Sequence, residues 1–179
     1  MAVAFFGLCA NAQVAVEEPE FSDETLMLVS DTEGVKLKRE SATIKTKAGA
    51  SLIITGIGKI RSKLTIKGEA SASTVKGSST TRLIVRADDN KTDPTSFINI
   101  FKFEIKKGDR TFLLSQLGTF TGAEECNTSG VEFKAKKYGE SSYYIVMEDL
   151  EPGEYGILIG DPDNVNEKNA KKVTTFSVE

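Results

Sequence analysis

The chain has 179 residues, 39% hydrophobic and 27% charged, with a formal net charge of −3. That fits one folded domain with its own core, and it gives no overall basic field to draw nucleic acid. With no histidine and no tryptophan, Ser-His-Asp and Cys-His catalysis, imidazole metal ligation and indole stacking are all excluded.

The chain opens MAVAFFGLCANAQ, apolar up to the small-x-small tripeptide Ala10-Asn11-Ala12. This pattern reads as the remnant of a secretory signal over residues 1–12, with cleavage after the tripeptide. It is too short for a transmembrane helix, so no membrane span is expected. Residues 13–24, rich in Glu and holding Pro19, read as an acidic spacer. The single domain is expected over residues 25–179. Cleavage would leave Cys126 as one unpaired thiol, read as a small buried side chain.

From Thr25 onward the apolar pattern has period two. Val35 and Leu37 alternate with lysines, Ile44 sits between Thr43 and Lys45, and Ile60, Leu64 and Ile66 alternate with polar residues through Lys67. The habit returns at Phe101, Phe103 and Ile105, at Val131, Phe133 and Ala135, at Tyr155, Ile157 and Ile159, and at Phe176 and Val178. Such alternation gives each strand one buried and one wet side. Leu52–Ile54 and Tyr143–Met147 are apolar on both faces and read as central strands.

Turn chemistry punctuates these runs. Lys107-Gly108-Asp109 suits a hairpin with Gly at positive φ, and Pro152-Gly153 suits the middle of a type II turn. Asp88–Asn90, Asp93-Pro94 and Asp161–Asn164 mark loops. Asn164 to Lys172, opening on a capping-box pattern with Glu167, is the only candidate helix, and a short one. The fold class is therefore all-β, an antiparallel β-sandwich or, alternatively, a partly open β-barrel.

Charge is the strongest local signal. Between Lys36 and Lys67 nine basic residues stand against the single acid Glu40, a net +8, whereas residues 95–179 carry ten bases and fourteen acids, a net −4. Bases at every second residue share one side of a strand. Lys45, Lys59, Arg61 and Lys63 are thus candidate ligands for an anionic glycan or acidic partner. The competing reading is a solvated face whose lysines guard strand edges. The stretch contains no aromatic residue, unlike nucleic-acid platforms.

Other constellations are weaker. Asp161-x-Asp163-x-x-Asn166-Glu167 offers oxygen ligands without the spacing of a calcium loop, so no metal site is assigned. Carboxylates at Glu124-Glu125, Glu148-Asp149 and Glu151–Glu154 leave a glycosidase as a remote alternative. No nucleophile elbow, P-loop or dinucleotide motif is present, and neither catalytic residues nor a cofactor is expected. The four tyrosines, Tyr138, Tyr143, Tyr144 and Tyr155, read as core rings with hydroxyls reaching the surface.

Five segments carry a family likeness: Phe101–Lys107, Arg110 to Leu113, Gly118-Thr119-Phe120, Lys136–Tyr143 and Leu150–Ile157. With the Ala-Asn-Ala-Gln signal ending, they resemble uncharacterised exported β-rich proteins of Bacteroidetes-type bacteria. The likeness covers about residues 97–160. It implies export to the periplasm or cell surface and transfers no catalytic residue. The combined expectation is a non-enzymatic interaction or structural module of the cell envelope with a protein or glycan partner.

Overall fold

The structure is a computed structural model and describes residues 14–48, 59–76, 79–118, 124–126, 130–160 and 171–179. Among the described residues fourteen strands follow in chain order: β1 (Thr25–Leu28), β2 (Gly34–Lys36), β3 (Lys38–Ala48), β4 (Lys59–Lys67), β5 (Thr74–Val75), β6 (Thr80–Arg86) and β7 (Ile98–Lys102). Then come β8 (Glu104–Lys106), β9 (Asp109–Gly118), β10 (Glu124–Cys126), β11 (Lys134–Tyr138), β12 (Ser142–Glu148), β13 (Gly153–Ile159) and β14 (Lys171–Val178). A 3-10 turn, Pro94–Ser96, is capped by the Asp93 carboxylate accepting from Thr95 N. Among the described residues no helix is long and apolar enough to cross a membrane.

Both expected architectures are present, and they share strands. A five-stranded sheet runs β11-β12-β6-β1-β2, and a larger sheet runs β10-β9-β4-β3-β14-β13-β7. Only Phe103 separates β7 from β8; its amide continues the β7–β13 ladder by donating to Glu154 O, while β8 pairs with β9. The larger sheet therefore curls back on itself into a nearly closed barrel.

Strands β7, β13 and β14 are buried on both faces. One face turns Ile98, Ile100, Tyr155, Ile157, Phe176 and Val178 toward Met27, Leu83, Val85, Tyr143, Ile145 and Met147 of the small sheet. The other turns Phe101, Leu158 and Val173 into the barrel, where they meet Ala42, Ile44, Leu64, Ile66 and Phe103. Strands β3, β4, β7, β13 and β14 contribute apolar side chains to that interior, with Phe112 and Leu114 packed against it from β9. Phe101 stacks on Phe112 at 4.0 Å between centroids and meets Phe103 edge-on at 5.2 Å. Gly156 makes room for these rings, since a Cβ there would lie 2.7 Å from Phe101 Cε2 and 2.8 Å from Phe103 Cζ.

The two-residue hairpin between β8 and β9 is Lys107-Gly108, with φ of 56° and 80°. Two positive φ values are what a type I′ turn requires; the hairpin and the positive φ of Gly108 match the sequence reading, and that of Lys107 goes beyond it.

Several details differ from the sequence reading. The strand expected from Val131 begins at Lys134, because Val131 N instead donates to Ile100 O and closes against β7. Ile105 is 46% exposed: it sits opposite Arg110 at the barrel rim, where the wall ends. Lys171 and Lys172, placed in the candidate helix, belong to β14; the rest of that segment lies outside the described residues, as do Leu52–Ile54 and residues 1–12.

Residues 14–24, expected as a spacer, are docked on the small sheet. Ala15 N donates to Asp31 O, the Tyr138 hydroxyl to Val16 O, and Arg86 Nη1 to Pro19 O at 2.7 Å. The Glu18 carboxylate accepts from Glu140 N and Ser141 N at 2.9 and 3.1 Å, seated against Gly139 at φ 55°. Successive N–H groups at a turn make an anion-holding concavity, so the acid here serves as an anchor.

Candidate anion-binding surface

Strand β4 has neighbours on both sides. Register pairs Lys59–Lys67 with Gly118–Asp109 of β9, and Ile60–Thr65 with Ala48–Thr43 of β3. The β3–β4 register is regular, so Lys45 lies opposite Lys63 and Lys47 opposite Arg61. Ile44 and Leu64, also opposite one another, are buried in the barrel. Side chains alternate along a strand, so the Lys45–Lys63 rung belongs to the outer wall. Lys45 and Lys47 are exposed and Lys63 is half-buried.

Among the described residues, none of Lys45, Lys47 and Lys63 makes an ion pair. The nearest acids are engaged elsewhere: Lys106 pairs with Glu104, and Lys67 pairs with Asp109 at 2.8 Å. The hydrogen bond from Lys106 holds the Glu104 carboxyl below its usual range, with the charge of Lys63 adding a smaller effect. Lys67 does the same for Asp109, and Lys45 contributes through its field. Of the four residues singled out by sequence, register thus brings Lys45, Arg61 and Lys63 onto adjacent rungs. Lys59, two residues before Arg61, extends the same column on β4.

Sequence reasoning missed a second charged cluster, at one end of the barrel. Arg110, on β9, is fully buried. Its Nη1 and Nη2 grip Glu40 at 2.9 and 3.0 Å, Nη1 also donates to Ser71 Oγ at 2.8 Å, Nε donates to Gly68 O at 3.1 Å, and Nη2 to Lys67 O at 3.4 Å. Five bonds match the five N–H donors of a guanidinium, which leaves none for a ligand. Ser71 N and Oγ donate to Glu154, whose Oε2 lies 3.8 Å from Arg110 Nη1, and Thr175 Oγ1 donates to Glu40. Burial would raise the Glu40 pKa, but the bonds from Arg110 and Thr175 outweigh it and hold the carboxyl below its usual range. This cluster is a satisfied plug. The only sequence clue was the isolation of Glu40 among bases.

The remaining carboxylates are dispersed. Glu148 pairs with Lys134 and Glu151 with Lys102, each at 2.9 Å, and Glu154 belongs to the plug. Asp89 and Asp93 accept from backbone N–H groups two residues ahead, as loop-forming Asx turns do. Among the described residues no three Cys, Asp or Glu side chains come together as metal ligands. The Asp161–Glu167 loop and the side chain of Cys126 lie outside the described residues. Tyr143 and Tyr155 are buried with hydroxyls donating to Thr92 O and Glu151 O, whereas Tyr138 and Tyr144 are half-buried. A hollow of about 380 Å³ lies beside β7, lined by Ile98, Ile100, Val131, Glu132 and Phe133 among others. None of the basic-wall residues lines it.

No protein-family model matches this chain, and no curated protein matches it in sequence.

Proposed function

We propose that this protein is an exported, non-enzymatic interaction module of the bacterial cell envelope that holds an anionic partner on the outer wall of its barrel. The observation carrying this reading is the placement of Lys63 and Arg61 on a strand paired along both sides, opposite Lys45 and Lys47. Lysines that guard a sheet edge sit on edge strands, and β4 has no free edge over these residues. Like charges directly opposite one another destabilise a strand pair. An anion that neutralises both removes that cost and gains attraction from two columns at once. Export rests on the apolar leading segment ending in Ala10-Asn11-Ala12.

The test is binding measured by calorimetry against a panel of anionic and neutral glycans and acidic peptides, with the Lys45→Gln/Lys63→Gln variant as comparison. Binding confined to anionic members, weakened by added salt and by the variant, supports the reading. Neutral ligands binding as well as anionic ones, or a variant that binds unchanged, would sink it.

A further inference from the structure

We infer that the basic wall is a track for one linear acidic polysaccharide lying parallel to strands β3 and β4, not a pocket for a compact anion. The inference rests on the proposed anion-binding role and adds the shape and chemistry of the ligand. Its ground is how the charges are distributed by register. Along β4, Lys59, Arg61 and Lys63 recur at every second residue, about 6.8 Å apart at strand rise. Along β3, Lys45 and Lys47 keep the same interval, one strand spacing of about 4.8 Å away. The five positions therefore form a ladder about 14 Å long and two strands wide. A compact anion bonds cations only at about 2.7–2.9 Å, so it engages one rung and leaves the others unpaired.

The direction of the track follows from what surrounds it. On the β9 side of β4 the charge vanishes or changes sign, and on the β14 side Lys172 is bonded to Ser41 Oγ at 2.8 Å. Arg61 pairs with Gln116, which pairs with Glu125 of β10, and Thr65 pairs with Thr111, which pairs with Glu104 of β8. At the end nearest the plug, the Thr43–Thr65 rung is uncharged, and Lys67 beyond it is already paired with Asp109. In sequence, residues 49–58 between β3 and β4 carry no charged side chain. A polyanion running along the strands thus meets these cations in succession, whereas one crossing toward β9 and β10 leaves them after a single rung. Flexible lysine stems tolerate small mismatches in that spacing.

The chemistry points to a glycan. Proteins that follow single-stranded nucleic acids add aromatic rings for the bases to stack on, and residues 36–67 contain none. A chain of uronates or sulfated sugars needs only cations in line.

Affinity for galacturonate oligomers of increasing length tests this, with dextran sulfate, neutral dextran, oligo-dT and free phosphate alongside. Binding should climb at least about tenfold from monomer to octamer as successive rungs are engaged, then level off. Replacing Arg61 by Gln should shift the plateau to shorter oligomers, while Lys137→Gln on β11 changes nothing. Circular dichroism of each variant checks that it is folded. Dextran sulfate binding without galacturonate binding assigns the site to sulfated glycans and keeps the track. Equal affinity for monomer and octamer, still lost on Lys45→Gln, keeps the anion-binding role and overturns the track. Tighter binding of oligo-dT than of any acidic glycan overturns the choice of polysaccharide. No binding to any of these anions sinks both proposals.

Discussion

Arg110 on β9 and Glu40 on β3 form a two-pronged ion pair inside the end of the barrel, with the guanidinium 1% exposed. The pair reaches across β4, which lies between β3 and β9 in the sheet, and the loop carrying Gly68 and Ser71 is tied to it.

Removing the cation alone should cost far more than removing the whole cluster. Arg110→Met leaves Glu40 and Glu154 in the interior without their counter-charge, a loss of about 3–5 kcal/mol. Adding Glu40→Leu and Glu154→Leu to that variant should restore much of the loss, since apolar replacements of buried ion networks are often neutral or stabilising. Urea unfolding of the single and triple variants checks this. A triple variant less stable than the single one would contradict it.

The same pair sets a pH dependence. The Glu40 carboxyl has a lower pKa folded than unfolded, so its contribution is complete above the unfolded value of 4.5 and is lost as pH falls through the folded value. Thermal midpoints should therefore drop on acidification below about pH 4.5. In Glu40→Gln that slope should flatten, with lower stability at neutral pH.

Gly156 should accept no side chain. A Cβ there meets the rings of Phe101 and Phe103, which are packed inside the barrel on neighbouring atoms. Gly156→Ala should cost about 1–3 kcal/mol by overpacking, read as a fall in the denaturant midpoint.

The docked N-terminal segment depends on Gly139. Its φ of 55° disfavours a side chain, and a Cβ would run into the Glu18 carboxyl. Gly139→Ala should release residues 14–24, seen as faster amide exchange and proteolysis there while the sheets stay protected.

The basic wall should trade stability for binding. Lys63→Glu places opposite charges across from Lys45 and should raise stability by about 0.2–1 kcal/mol while weakening anion binding. Thermal melts and the glycan titrations, run on one preparation, check both halves.

Much of this molecule was legible from residue order. Period-two alternation at Ile44, Leu64 and Ile66 named the inward side chains of β3 and β4 because a strand's geometry is local. Gly108 marked its hairpin because the freedom to take a positive φ is a property of that residue alone. Lys45, Arg61 and Lys63 were found as a charge pattern on the same grounds.

What residue order could not supply is who sits beside whom. Ile98, Ile100, Phe101 and Phe103 alternate ambiguously, and only the shared position of β7 between sandwich and barrel explains why both faces are apolar. Arg110 looks like one more surface base until β3 and β9 pair on either side of β4 and bring Glu40 to it across 70 residues of chain. The direction of the basic ladder likewise comes from the β3–β4–β9–β10 order, which local pattern leaves open. Alternation and turn type are decided within a few residues. Burial of charge, and the company a charge keeps, are decided by the closing of the sheet.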